Sequence, residues 1–354
     1  MEIKNSFFMY LIIVLLLFSP ATDSYAEDSF SEIESVQMTL ITRKSVGDVA
    51  IALAGSGKAV INWGDWGEGI EETIILSDSL SLYTHTFVYD PNFIGYLNSK
   101  MPHTIIINGS HITRLACGKN QIAEEQLQVH PEYLYEALFN KGNQLTSVDI
   151  SNNRLLEYLD CCFNYIETLN LSNNPLLEYL DCSSNNIRSL DVSDNIVLKH
   201  LNCDRNIFYD NPLLDVSENL FLESLSCNGN HLKNLELGRN TALKYLSCSG
   251  NWKMSKLDIS KNTSLEYLDC SNNMLENIDM SKNRALKVLH CSRSRFTNLD
   301  VRKNVSLEYL DCFNNRLTSL NIGKNKSLKY LYCYENQLTG LNVSKNHLFM
   351  RISS

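Results

Sequence analysis

Proline and glycine are scarce, at 6 and 15 of 354 residues. That excludes collagen-like chains and Pro/Gly low-complexity chains. There is no basic surplus either, since 31 Lys and Arg face 40 Asp and Glu. A polyanion binder needs such a surplus to neutralise phosphates, so nucleic acid is not an expected partner. The longest apolar run, Phe7 to Phe18, has 12 residues, whereas a membrane-spanning helix needs roughly 20. Motifs of catalysis are also missing. No G-x-S-x-G elbow occurs, and the 8 His are scattered without Cys or carboxylate at ligand spacing. Gly55-Ser56-Gly57-Lys58 imitates a phosphate loop, but the first glycine and the Ser or Thr after Lys58 are absent. No catalytic residue, metal or cofactor is therefore expected.

What is present favours a folded, soluble chain. Hydrophobic residues make up 44% and the formal net charge is -9, a balance that excludes wholesale disorder and resists self-association. Residues 1–26 read as a secretory signal. Lys4 precedes the apolar run, and the small residues Ser24 and Ala26 precede a cut before Glu27. The first cysteine is Cys117, so no lipid attachment site lies near the cut. The mature chain is expected to be secreted, periplasmic or at the cell surface, with no membrane span. Residues 27–36 form a linker.

The fold is written in a repeat. From Leu156 the chain alternates two half-units, L-x-x-L-x-C-x-x-N-x-L and L-x-x-L-x-[VIL]-x-x-N. The cysteines Cys161, Cys182, Cys203, Cys227, Cys248, Cys270, Cys291, Cys312 and Cys333 are spaced by 21, 21, 24, 21, 22, 21, 21 and 21 residues. Two further rungs fit upstream: Ile112, Leu115, Cys117, Asn120 and Ile122, then Tyr135, Leu138, Asn140, Asn143 and Leu145, with Asn140 in the cysteine slot. In each half the second Leu and the Cys or Val stand two apart, so a strand would turn both inward. Stacked coils bury together a face that one coil cannot bury alone. The Asn after each strand can satisfy backbone groups at the bend.

This pattern resembles the leucine-rich repeat family, and its alternating LDC and LDVS halves are similar to the 21-residue repeats of exported Bacteroidetes-type proteins. The resemblance covers about residues 112–349 and implies a solenoid with stacked parallel strands over 111–354. Ser294 departs from it in place of the ladder Asn, as do extra residues near Phe208 and Trp252.

The spacing gives no zinc cluster, and cysteines side by side on parallel strands offer poor disulfide geometry. They read as small buried hydrophobes. Cys162, beside Cys161, is expected to point outward as a free thiol.

Residues 37–110 differ. Val49–Leu53, Val60–Trp63, Thr73–Leu76, Thr84–Tyr89 and Thr104–Ile107 are short β runs between turn residues, which suggests a small all-β sandwich. The stretch Ile61-Asn62-Trp63-Gly64-Asp65-Trp66-Gly67, with His85-Thr86-Phe87, resembles PKD-type (Ig-like) modules. Trp66 interrupts the Gly-Asp-Gly run, and Phe87 stands in place of Tyr. The resemblance implies a spacer or cap over the end of the solenoid.

Two surfaces are candidates for ligand binding. Outward tyrosines recur before the inward Leu, at Tyr158, Tyr179, Tyr245, Tyr267, Tyr309 and Tyr330, beside outward Asp160, Asp181, Asp269 and Asp311. Tyrosine offers rigid amphipathic contact area at low entropy cost. The competing reading is a solvated sheet face multiplied by duplication. The second candidate lies where the register breaks, at Phe208 and Tyr209 and at Trp252, because insertions on solenoids map to loops on one face. Together these features and the resemblance imply non-enzymatic recognition of an extracellular protein. A glycan ligand and a structural role in the cell envelope remain as alternatives.

Overall fold

The computed structural model describes residues 37–42, 47–64, 71–87, 103–109, 111–118, 143–208 and 213–353. Residues 35–354 form one compact unit. The expected signal segment, the linker and Tyr209 lie outside the described residues, as does Asn140. Every regular element among the described residues is a strand, and no helix there is long and apolar enough to cross a membrane.

Alternating burial builds the N-terminal sandwich. In β1 (Gln37–Thr42) the residues Met38, Leu40 and Thr42 are buried, and in β3 (Lys58–Asn62) Ala59 and Ile61 are. Such period-two burial is what a strand with one covered face requires. One sheet runs β4 (Glu71–Ile75), β3, β6 (His103–Gly109), β1 and β8 (Leu145–Asp149). β2 (Gly47–Gly55) and β5 (Ser81–Phe87) belong to the other sheet. Trp63 is buried at the end of β3, and Gly64 adopts a φ of 73°. A Cβ on Gly64 would strike the Thr104 carbonyl, so this turn admits only glycine.

The solenoid continues the second sheet. β2 pairs antiparallel with β7 (Ile112–Ala116), and β7 pairs parallel with β9 (Tyr158–Asp160). From β9 the rungs follow at three residues each: β10 (Tyr179–Asp181), β11 (His200–Asn202), β12 (Ser224–Ser226), β13 (Tyr245–Ser247), β14 (Tyr267–Asp269), β15 (Val288–His290), β16 (Tyr309–Asp311), β17 (Tyr330–Tyr332) and β18 (Arg351–Ser353). The central leucines pair in register, Leu159 on Leu180 on Leu201, through to Leu331. Ten cysteines line the interior beside them and all are buried.

Three expectations need correction. First, the two upstream rungs are one. Leu115 pairs directly with Leu159, so no rung stands between Cys117 and Cys161. The Cys117 coil takes its bend from Asn143 instead, whose Nδ2 donates to the Cys117 carbonyl at 2.8 Å. Its next Leu is Leu145, whose N–H donates to Asn164 Oδ1 at 2.9 Å. The repeat is thus interrupted by residues 119–142, and local pattern alone duplicated it. Second, among the described residues the Val halves form no strands apart from β8. Their coils are joined by asparagine amides: Asn174 Nδ2 donates to the Ile150 and Asn153 carbonyls, at 3.1 and 2.8 Å. The same bridge recurs at Asn195, Asn240, Asn283 and Asn325. Third, Cys162 is buried rather than outward. It sits under Gly118, where an added Cβ would collide with Asp160 Oδ1 and Cys162 Sγ.

Candidate functional site

The outer face of the long sheet carries the tyrosine stripe, in stretches. Tyr158 and Tyr179 stack with ring centroids 4.4 Å apart and planes at 8°. Tyr245 and Tyr267 do the same at 4.4 Å and 11°. This follows from parallel, in-register pairing, which places identical residues side by side. Toward the far end His290, Tyr309, Tyr330 and Tyr332 form a tilted cluster, with His290 4.7 Å from Tyr309. His200, Ser224 and Val288 occupy the same strand position and interrupt the run. Tyr245 is exposed, whereas Tyr158, Tyr179, Tyr267, Tyr309 and Tyr330 are half-buried by their neighbours. Burial, followed by the nearby Asp160 and Asp181 charges, pushes the Tyr158 hydroxyl up to about 12. The Tyr158 ring thus stays neutral at physiological pH.

The aspartate stripe differs from expectation. Asp160 and Asp181 are buried, and Asp269 and Asp311 are half-buried. They close the strand locally rather than solvate the sheet. Asp181 Oδ1 accepts the Ser183 N–H at 2.9 Å and the Ser183 hydroxyl at 2.6 Å, while Oδ2 accepts Asn202 Nδ2 at 2.9 Å. This is the Asx turn, in which the side chain binds the backbone two residues on. The exposed aspartates of the other halves do the same. Asp191, Asp215, Asp258 and Asp279 accept the N–H of a serine two residues later, which lowers each carboxyl below its usual range.

Ligand atoms of Asp160, Cys162 and Asp181 lie within 4.8 Å of one another, a spacing compatible with a metal ion. Both Asp181 oxygens are already engaged by Ser183 and Asn202. Burial also raises the Asp160 and Asp181 carboxyls above the ordinary value of 3.8. With its oxygens engaged, Asp181 has no free donor to offer an ion.

The register breaks do not form one patch. Phe208 is 1% exposed and belongs to the core. Trp252 is 48% exposed and rests edge-on against His231, with ring centroids 5.4 Å apart. Beside it lies a groove of about 660 Å³ lined by Trp252, Arg293, Ser294, Arg295 and Arg316. The arginines escape a repeat-based search because they stand at variable positions of two successive coils, and only stacking brings them together. Ser294, the one rung without its ladder Asn, was the available signal.

A regular charge pattern also went unread. From β10 to β17 the residue before the strand alternates in sign: Lys199 bonds Glu178 at 2.7 Å, Lys244 bonds Glu223 at 2.7 Å, Lys287 bonds Glu266 at 2.6 Å and Lys329 bonds Glu308 at 2.6 Å. A second period of two coils is therefore superimposed on the single-coil repeat.

No protein-family model matches the chain, and no curated protein does. Among solved structures, it is similar to the functional domain of InlJ from Listeria monocytogenes, which includes a cysteine ladder, with 37% identity and a TM-score of 0.57. That match covers 59% of this chain and 46% of the InlJ chain, so the chain spans less than half of its neighbour. Two internalins of the same organism are also similar: inlF at 22% identity and TM-score 0.45, covering 59% of this chain and 70% of that one, and inlC2 at 14% and 0.47, covering 52% and 84%. The stacked strands, the roughly 21-residue coil and the cysteine ladder give this chain the leucine-rich repeat solenoid fold.

Proposed function

We propose that this is an exported, non-enzymatic recognition protein whose long sheet face binds an extracellular protein partner. The observation that carries the reading is the stacked tyrosine stripe. Tyr245 and Tyr267 are held face to face at 4.4 Å, and the His290, Tyr309, Tyr330 and Tyr332 cluster continues the surface two coils on. Aromatic rings already fixed by stacking lose little freedom on binding, so their contact area converts well into affinity. Export rests on the signal-like residues 1–26, and the PKD-like residues 37–110 serve as a cap at the start of the solenoid. A role in adhesion or in contact with a host cell fits the same surface. A purely structural place in the cell envelope would leave that surface without a ligand.

The test is an unbiased surface-binding screen with the mature chain, followed by the triple variant Tyr245→Ser, Tyr267→Ser, Tyr309→Ser. Loss of the captured partner with an unchanged thermal midpoint supports the reading. A partner bound equally well by the triple variant places recognition elsewhere.

A further inference from the structure

Two departures from the repeat meet in one place. The coil of Cys248 carries an extra residue beside Trp252, and the coil of Cys291 has Ser294 where its neighbours have Asn273 and Asn315. Asn273 Nδ2 donates to the Cys248 and Cys270 carbonyls, and Asn315 Nδ2 to those of Cys291 and Cys312. Ser294 is too short to span two coils in this way. The groove of about 660 Å³ opens at this point.

Its lining is cationic in a chain of net charge -9. Arg295 and Arg316 are exposed and lie on adjacent coils, with Arg293 over the Phe313 ring at 5.2 Å and Lys253 over the Trp252 ring at 4.9 Å. Of the exposed arginines elsewhere, Arg239 pairs with Glu218 and Arg302 with Asp300, while Arg154, Arg205 and Arg284 stand singly on the surface; the groove differs in bringing three arginines together. No carboxylate lies within ion-pair distance of Arg293, Arg295 or Arg316 among the described residues. Asn314, which also lines the groove, donates its Nδ2 to Glu335 at 2.5 Å.

The backbone cannot do the recognising. The N–H groups of Asn272, Met274, Arg293, Arg295, Asn314 and Arg316 all donate to carbonyls of neighbouring coils. A peptide adding itself as a strand would find no free edge. What remains is planar guanidinium forks, an exposed indole face and the amide of Asn272. Guanidinium groups pair with carboxylates through two parallel hydrogen bonds, and an indole offers broad apolar area with a polar edge.

We propose that this groove binds an acidic saccharide. Arg295 and Arg316 hold a sugar carboxylate, Trp252 packs on the C–H face of the ring, and Asn272 meets its hydroxyls. The site is separate from the tyrosine stripe and does not depend on the protein-binding reading.

The experiment titrates the full mature chain with an oligogalacturonate, with its methyl-esterified neutral form and with an oligoglutamate peptide, following tryptophan fluorescence and affinity. The oligogalacturonate should bind and perturb the fluorescence, and the other two should bind at least about tenfold more weakly. Loss of two charge-assisted contacts in Arg295→Gln with Arg316→Gln should weaken binding by at least about tenfold. Trp252→Ala should weaken binding and remove the optical response. Equal binding of the neutral ester, or of the peptide, overturns the proposal, as does wild-type affinity in the arginine variant or no binding by the wild-type chain. The ester comparison needs no variant, so the test survives any folding defect.

Discussion

Asp160 and Asp181 face each other directly across two parallel strands, both buried, with no basic residue among the side chains that bond them. Like charges directly opposite on a sheet are destabilising. At the comparable position further on, His290 lies between Asp269 and Asp311 and approaches Asp311 at 3.6 Å. The N-terminal end of the ladder thus carries an electrostatic fault that the rest avoids.

That fault gives a signed pH dependence. Burial is the main cause raising both carboxyls, so the folded state holds protons that the unfolded chain releases. Their favourable contribution is complete below the ordinary value of 3.8 and is lost as pH rises through the folded values. Asp160→Asn keeps the acceptor for the Cys162 N–H and removes the charge. It should stabilise the chain at pH 7 by an amount on the order of 1 kcal/mol and have no effect near pH 3. Thermal melts at the two pH values check this; a destabilised variant at pH 7 would refute the account.

All eleven cysteines are buried thiols outside any disulfide, and burial raises the thiols of Cys161, Cys203, Cys248, Cys270 and Cys291 well above 9.0. Since only the thiolate reacts, alkylation of the native chain should modify no cysteine in the solenoid, Cys162 included. Full labelling should follow denaturation. Intact-mass measurement before and after guanidinium distinguishes this from a disulfide framework, and fast labelling of Cys162 alone would show that its burial is wrong.

The asparagine ladder should be more sensitive than its polar composition implies. Asn283 Nδ2 donates to the Ile259 carbonyl at 3.0 Å and to the Asn262 carbonyl at 2.8 Å. Asn283→Ala removes one of the two hydrogen bonds at each carbonyl, since Ile259 O also accepts the Asn262 N–H and Asn262 O the Leu265 N–H, and should cost about 1–3 kcal/mol. Asn283→Asp, nearly isosteric, should cost more by turning a carboxylate toward those carbonyls. Ser294→Asn should act in the opposite direction by restoring a missing bridge. Denaturant midpoints rank the three variants.

Glu266 stands between Lys244 and Lys287, and its carboxylate bonds Lys287 at 2.6 Å. Glu266→Lys would place three lysines on consecutive coils. The thermal midpoint should fall at low ionic strength and recover in high salt, where exposed charges are screened. A salt-independent change would mean that the alternation is incidental.

Much of the fold was legible because a 21-residue spacing with inward residues two apart has few physical solutions. The strands of the cysteine halves, the buried cysteines and the bends follow from that spacing, and several short runs before it already marked the sandwich strands. The places where sequence reading failed share one cause. Cys162, Asp160 and Asp181 alternate with buried residues and so read as outward, yet the adjoining coil covers them. Phe208 looked like a loop anchor because an insertion has no repeat to define its direction.

The sequence by itself determined the repeat, its period and the identity of its interior, since those depend on local spacing and hydrophobicity. Only the tertiary structure decided that Cys117 and Cys161 are neighbours across the 119–142 segment. It alone showed which polar residues stacking buries, and that three arginines and Trp252 share one groove. Contacts between coils join residues a full turn or more apart, and a variable position carries no mark of the neighbour it will meet.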